Sequence, residues 1–160
     1  MTLVRRLTQG EAALAASVFG HAIALERVRI VSAPRPFDRA FVPGRWFGRD
    51  WIVWPQPRLL PDLSCGPLAV QATLIHELVH VWQAQNGVNL LLAKLRAGDS
   101  HASYRYPLDP TCGWETLNIE QQAMAIEHRF CLSRGGAVPA DRAFYDRLCP
   151  FPAANSVEPP

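Results

Sequence analysis

The sequence predicts a single α+β domain in which a small antiparallel sheet packs on a central helix and a second helix crosses that one. Three observations lead there. With 160 residues, 49% of them hydrophobic, the chain can bury one core and has little length left for another. Short alternating runs before residue 55 give way to a 3.6-residue period beyond residue 67. Prolines crowd between residues 34 and 67 and again at the C-terminus, marking irregular connections and a tail. The domain is therefore expected over residues 1–150, with residues 151–160 as an irregular tail.

The elements follow in order. Thr8 with Glu11 three residues on is a capping-box pattern, and Leu14, Val18 and Phe19 continue it into a helix over about residues 9–21. Residues 24–32 (ALERVRIVS) alternate around Val28 and Ile30 and read as a strand. Residues 34–48 are turn-rich. Residues 50–54 (DWIVW) form a short strand stopped by Pro55 and Pro57, and the two strands are candidates to pair. A helical period runs from Pro67 to Gln85, with Pro67 suited to the first turn, Ser64 the cap if the start is earlier, and Asn86-Gly87 the stop. VNLLLAKLRA (88–97) is a short helix or a bent continuation. A loop over 98–114 carries Tyr104, Tyr106 and Cys112, and helices are expected over 116–133 and 140–148.

Bulk chemistry narrows the function. The formal charge is +2 and the arginines are scattered singly, so the basic stripe of a nucleic-acid binder is missing. The longest apolar run falls short of the 18 or so residues a membrane span needs, and the N-terminus has no continuous apolar stretch of the signal-peptide kind. Four cysteines without a CxxC pair argue against a thiolate zinc site and for free thiols. The expected location is the cytoplasm.

The stretch LIHELVHVWQ (74–83) carries the chemistry. On a wheel with His76 at zero, His80 falls at about 40°, Gln83 at about −20° and Glu77 at about 100°, while the apolar residues fill the opposite arc. Histidines four apart sit one turn above each other, so both imidazoles reach one ion from one rigid element. Neutral imidazole suits zinc, and zinc with an open position activates a water for attack on a carbonyl. Glu77, beside the pair, is the residue to take the proton from that water and pass it to the leaving group. The bland alternative is a core helix whose two histidines are bonded to carbonyls.

A catalytic zinc needs a third protein ligand, and no histidine follows His80 at useful spacing. The candidates are Glu115, Glu120, Glu127 and His128 on the later helix. Glu120 and Glu127, seven apart, share a face to within about 20°. Glu120 is the preferred ligand and Glu127 the next. Glu127 or Gln83 is also suited to orient an imidazole through its second nitrogen. His128 reads as a surface residue.

HELVHVWQ followed by NIEQQAMAI resembles the gluzincin type of zinc metallopeptidase, in which HExxH is joined by a glutamate from a later helix. The closer likeness is to the metallopeptidase-like group labelled DUF4157 and the Vgr-related bacterial proteins, through the HExxHVWQ helix, GVNLLL, the YRY loop and the IEQQA helix. It covers about residues 10–135 and is strongest at 70–92 and 118–127. The resemblance implies a minimal zincin-like metallopeptidase fold, Zn2+ held by His76, His80 and Glu120, Glu77 as the catalytic glutamate, and hydrolysis of a peptide or protein substrate. It also implies association with, and export by, a specialised secretion system. The chain departs from thermolysin-like enzymes in placing Glu120 forty residues after His80, and Met124 where those have an aspartate. The alternative that this leaves is a zinc-binding accessory domain of secretion or toxin machinery with no significant peptidase activity.

Peptide hydrolysis also needs a donor facing the developing oxyanion. His101, Tyr104 and Tyr106 lie between the two site helices, and Tyr106 is the first choice. DWIVW is the candidate edge strand for a bound peptide. Trp46, Trp51 and Trp54 would line an apolar wall or cover the sheet.

Overall fold

The structure, a computed structural model, describes residues 2–98 and 100–151. The expected tail over 151–160 lies outside the described residues except for Phe151, which is buried against Phe19, with ring centroids 4.8 Å apart, and against Trp82.

The alternating runs assemble into a four-stranded sheet of order β1-β2-β4-β3, formed by β1 (Val4–Arg5), β2 (Val28–Ala33), β3 (Phe41–Trp46) and β4 (Arg49–Pro55). The sheet is mixed, which corrects the antiparallel expectation. β2 and β4 do pair, but parallel, with Ile30 opposite Ile52. β3, hidden in the turn-rich stretch, runs antiparallel to β4 and forms the edge. DWIVW is therefore an inner strand. The reason is steric and topological. A parallel pair cannot be closed by a hairpin, so the chain leaving β2 passes across the end of the sheet, makes the edge strand, and turns back between the two. That crossing segment, residues 34–40, becomes a wall of the site described below.

One sheet face, with Val28, Ile30, Ile52 and Trp54, packs on the helices α1 (Gln9–Phe19) and α2 (Leu68–Gln85) in the main core. The α1 capping box is present, and its Glu11 does more than cap. The fully buried carboxylate accepts from Thr8 N, Leu63 N and both terminal nitrogens of Arg5, so the charge is paired and hydrogen-bonded as burial requires. α2 starts with Pro67 in the cap position rather than within the first turn, and Ser64 caps nothing there. It stops where Gly87 takes φ 86° and Val88 N–H donates to Gln83 O, a glycine-dependent C-terminal closure.

Beyond α2 come α3 (Leu90–Ala97), the single-turn α4 (His101–Tyr104), α5 (Ile119–Ser133) and α6 (Arg142–Leu148). α5 packs along α2. Its start is set by a second capping box, Asn118 with Gln121, which explains why the helix begins three residues later than the sequence pattern suggests. α6 closes a smaller second core of Cys112, Leu117, Ala125, Phe144, Tyr145 and Leu148 against the outer side of α5. All four cysteines are free.

Candidate metal centre

α2 is buried on nearly every side, so its polar residues survive only where another group meets them. α5 supplies those groups. Glu120 Oε2 lies 3.3 Å from His76 Nε2 and 3.1 Å from His80 Nε2. Among the described residues, His76, His80 and Glu120 form a cluster whose ligand atoms all lie within 4.8 Å of one another. The edge of a tetrahedron with zinc–ligand bonds of 2.0–2.1 Å is about 3.3 Å. The nitrogen–oxygen separations fit a shared tetrahedral ion.

The far nitrogens are held as well. His76 Nδ1 donates to Glu127 Oε2 at 2.9 Å and His80 Nδ1 to Gln83 Oε1 at 2.8 Å. The Gln83 amide is itself fixed, because its NH2 donates to Ile119 O and Gln122 Oε1. Its carbonyl must then face His80, so a hydrogen sits on Nδ1 and Nε2 is the nitrogen turned to Glu120. An Nε2 atom 3.1 Å from a carboxylate oxygen is held there by a proton or by a metal cation between the two. The donor set of two imidazoles and a carboxylate fits a divalent metal of the zinc type.

The electrostatics agree. Burial alone would lower the His76 pKa, but the Glu120 and Glu127 carboxylates, with Glu77 adding, raise it to about 10. Burial works to raise the Glu120 pKa, yet both imidazoles hold it well below the usual carboxylate range. The pocket is built to attract positive charge. Glu77 is buried beside it, and its Oε2 has no hydrogen-bond partner among the described residues.

Two adjoining clefts of about 380 and 420 Å³ open onto the cluster, and His76, Glu77 and Tyr104 line both. Asp38, Arg39 and Ala40, from the segment that crosses the sheet end, line both from the other side. Phe41 at the start of the free edge of β3 and Lys94 on α3 line the larger.

The other expected residues fall as follows. Tyr106 is not in the cleft. Its hydroxyl bonds His128 Nδ1 and, at 3.0 Å, Tyr145, within the second core. The reason is that α4 ends at Tyr104 and the chain leaves it through an extended Arg105, so the next tyrosine no longer follows the helical face. Tyr104 is the one beside the cluster, its ring 6.3 Å from that of His76. His128 is half-buried rather than a surface residue. Glu115 and His101 are exposed and lie outside the cluster. Trp54 is buried and lines the smaller cleft, while Trp46 and Trp51 sit at the far end of the sheet, joined by a Trp51 Nε1 bond to Trp46 O. Lys94, 3.9 Å from Glu120 Oε1, escaped the sequence reading, since a lysine on a short amphipathic helix carries no signal of its own.

No protein-family model matches the chain. It is 33% identical over 164 residues to the type VI secretion system spike protein VgrG2b of Pseudomonas aeruginosa, an alignment covering 92% of this chain and 15% of that protein. The chain thus spans only a small part of that relative's length. The structure is similar to the effector domain of P. aeruginosa VgrG2b, with a TM-score of 0.69 and 31% identity, covering 89% of this chain and 79% of that one.

Proposed function

The chain belongs to the family of the VgrG2b effector domain, and from that premise we propose that it is a zinc-dependent metallopeptidase exported from the cytoplasm by a type VI secretion system. One observation carries the reading. Two imidazoles and one carboxylate converge from α2 and α5, and beside them the buried oxygen of Glu77 has no partner among the described residues.

Zinc held by His76, His80 and Glu120 would supply Lewis-acid polarisation of a scissile carbonyl and a lowered pKa for a water. Glu77 Oε2 takes the proton released on attack and delivers it to the leaving nitrogen. Glu127 and Gln83 keep both Nε2 atoms aimed at one point. An extended peptide fits in the cleft as an added strand along the free edge of β3. Tyr104, which lines both clefts, takes the role of donor to the developing oxyanion in place of Tyr106.

The deciding experiment is Glu77→Gln. It should keep zinc at full stoichiometry while slowing hydrolysis of a peptide library by about 10²–10⁴-fold. Zinc retained by the unaltered protein, with no cleavage of any library member, would instead assign it to the accessory role of a metal-binding domain in secretion machinery.

A further inference from the structure

We propose that the end of the molecule formed by the β3–β4 turn and α3 docks on the surface of an anionic lipid bilayer. Phe47, at the turn, is 97% exposed and has φ 54°. Both the exposure and the left-handed backbone disfavour a phenylalanine there, where a two-residue turn takes asparagine or glycine at no cost. Trp46 beside it is also exposed. The Trp51 indole bond to Trp46 O stiffens the turn, so the two aromatic rings project from a fixed base.

α3 adds a second apolar element. Leu91, Leu92 and Leu95 fall within about 100° of arc, with Leu91 70% and Leu95 73% exposed, while Leu90 on the other side is buried and Val88, just before the cap Asn89, is also exposed. Lys94 and Arg96 flank the stripe on its two sides. Asp50, just after the turn, holds the chain leading into α3 beside the base of the turn, and α3 then packs along β3. The Asp50 carboxylate accepts from Arg45 Nε at 3.1 Å and from Gln85 Nε2 at 2.8 Å, and Gln85 lies just before α3.

Charge selects the occupant. Residues 41–49 and 86–98 hold no acidic residue, and while Arg45 is paired with Asp50 and Lys94 with Glu120, Arg49 and Arg96 are exposed beside the apolar side chains. Glu26, at the same end of the sheet, lies beside Arg27 at 4.0 Å. Aromatic and leucine side chains bounded by arginine and lysine are the composition that settles at a lipid headgroup boundary, with the basic groups on anionic heads. Among the described residues no helix is long and apolar enough to cross a membrane, so the attachment is peripheral.

The test is sedimentation of the full chain with vesicles of phosphatidylglycerol and phosphatidylethanolamine, against vesicles of phosphatidylcholine alone. Binding is expected to the first and to be much weaker to the second. Leu91→Ser with Leu95→Ser, or Phe47→Gly, should weaken it at least about tenfold, and Arg49→Gln about fivefold. Phe47→Gly relieves the backbone, so its melting temperature should hold or rise, and lost binding cannot be put down to unfolding. Absence of binding to the anionic vesicles, or binding indifferent to all these variants, overturns the proposal. So does a dimer in solution that Leu95→Ser abolishes, since the stripe would then belong to a second copy.

Discussion

Glu127 and His128 are neighbours on α5, yet they serve two clusters of opposite character. Glu127 faces inward to His76 and the ligand set, whereas His128 faces the second core, where it meets Tyr106 and through it Tyr145. Both clusters combine imidazole with oxygen groups in a largely buried setting. The first has too many carboxylates for its protons, an orphaned Glu77 oxygen and two clefts leading to it. The second is closed and its hydroxyls and imidazole satisfy one another. Burial pushes the Tyr106 hydroxyl well above the ordinary tyrosine range and the His128 imidazole down, so the cluster stays neutral and structural. Polar groups left wanting at the end of an open cleft are equipped for chemistry, and polar groups that complete each other hold helices together.

The strongest way to break this contrast is Glu120→Ala. Removing a proposed ligand should weaken zinc binding by more than about 100-fold, beyond the range found for residues that only support a ligand. Competition with a chromogenic chelator would measure it, and unchanged affinity would dissolve the cluster as a metal site. Glu127→Ala should cost about 10–100-fold in the same assay, because His76 remains as a ligand but loses the partner that orients its ring.

Acidity sharpens the comparison next. In the metal-free protein His76 has its pKa raised from 6.5 to about 10, so its contribution to stability is complete below pH 6.5 and is lost as pH rises towards 10. The melting temperature of the metal-free chain should fall across that window, and zinc should suppress the fall. Zinc binding at pH 8 should release a proton, read as a buffer-dependent calorimetric heat. The smallest effect is expected from Tyr106→Phe. It should cost about 1 kcal/mol in urea unfolding by removing hydrogen bonds in the second core. Zinc affinity should not move. If it did, the two clusters would be one.

Much of the site can be read from the linear chain. The i, i+4 spacing of His76 and His80 fixes their common face wherever α2 packs, and the shared face of Glu120 and Glu127 marks α5 as the partner. Periodicity gives an angle but not a height. Seven residues put the two glutamates about 10.5 Å apart along the helix axis, too far to serve one ion together. Only the docking of α5 on α2 set Glu120 level with both Nε2 atoms and Glu127 level with the outer nitrogen of His76. The edge strand was illegible for another reason. Pro43 and Gly44 interrupt β3 and its register slips between Phe41 and Gly44, so no alternation survives to be seen.

Local rules therefore determined what is carried within one helix: the paired imidazoles, the buried face of α2, the cap of α1 and the stop of α2. They depend on backbone geometry that repeats every turn. The parallel pairing of β2 with β4, the cleft wall made by the crossing chain and the exchange of Tyr104 for Tyr106 belong to tertiary structure. Each depends on how segments distant in sequence settle against one another, and no short-range pattern encodes the distance between two elements before they pack.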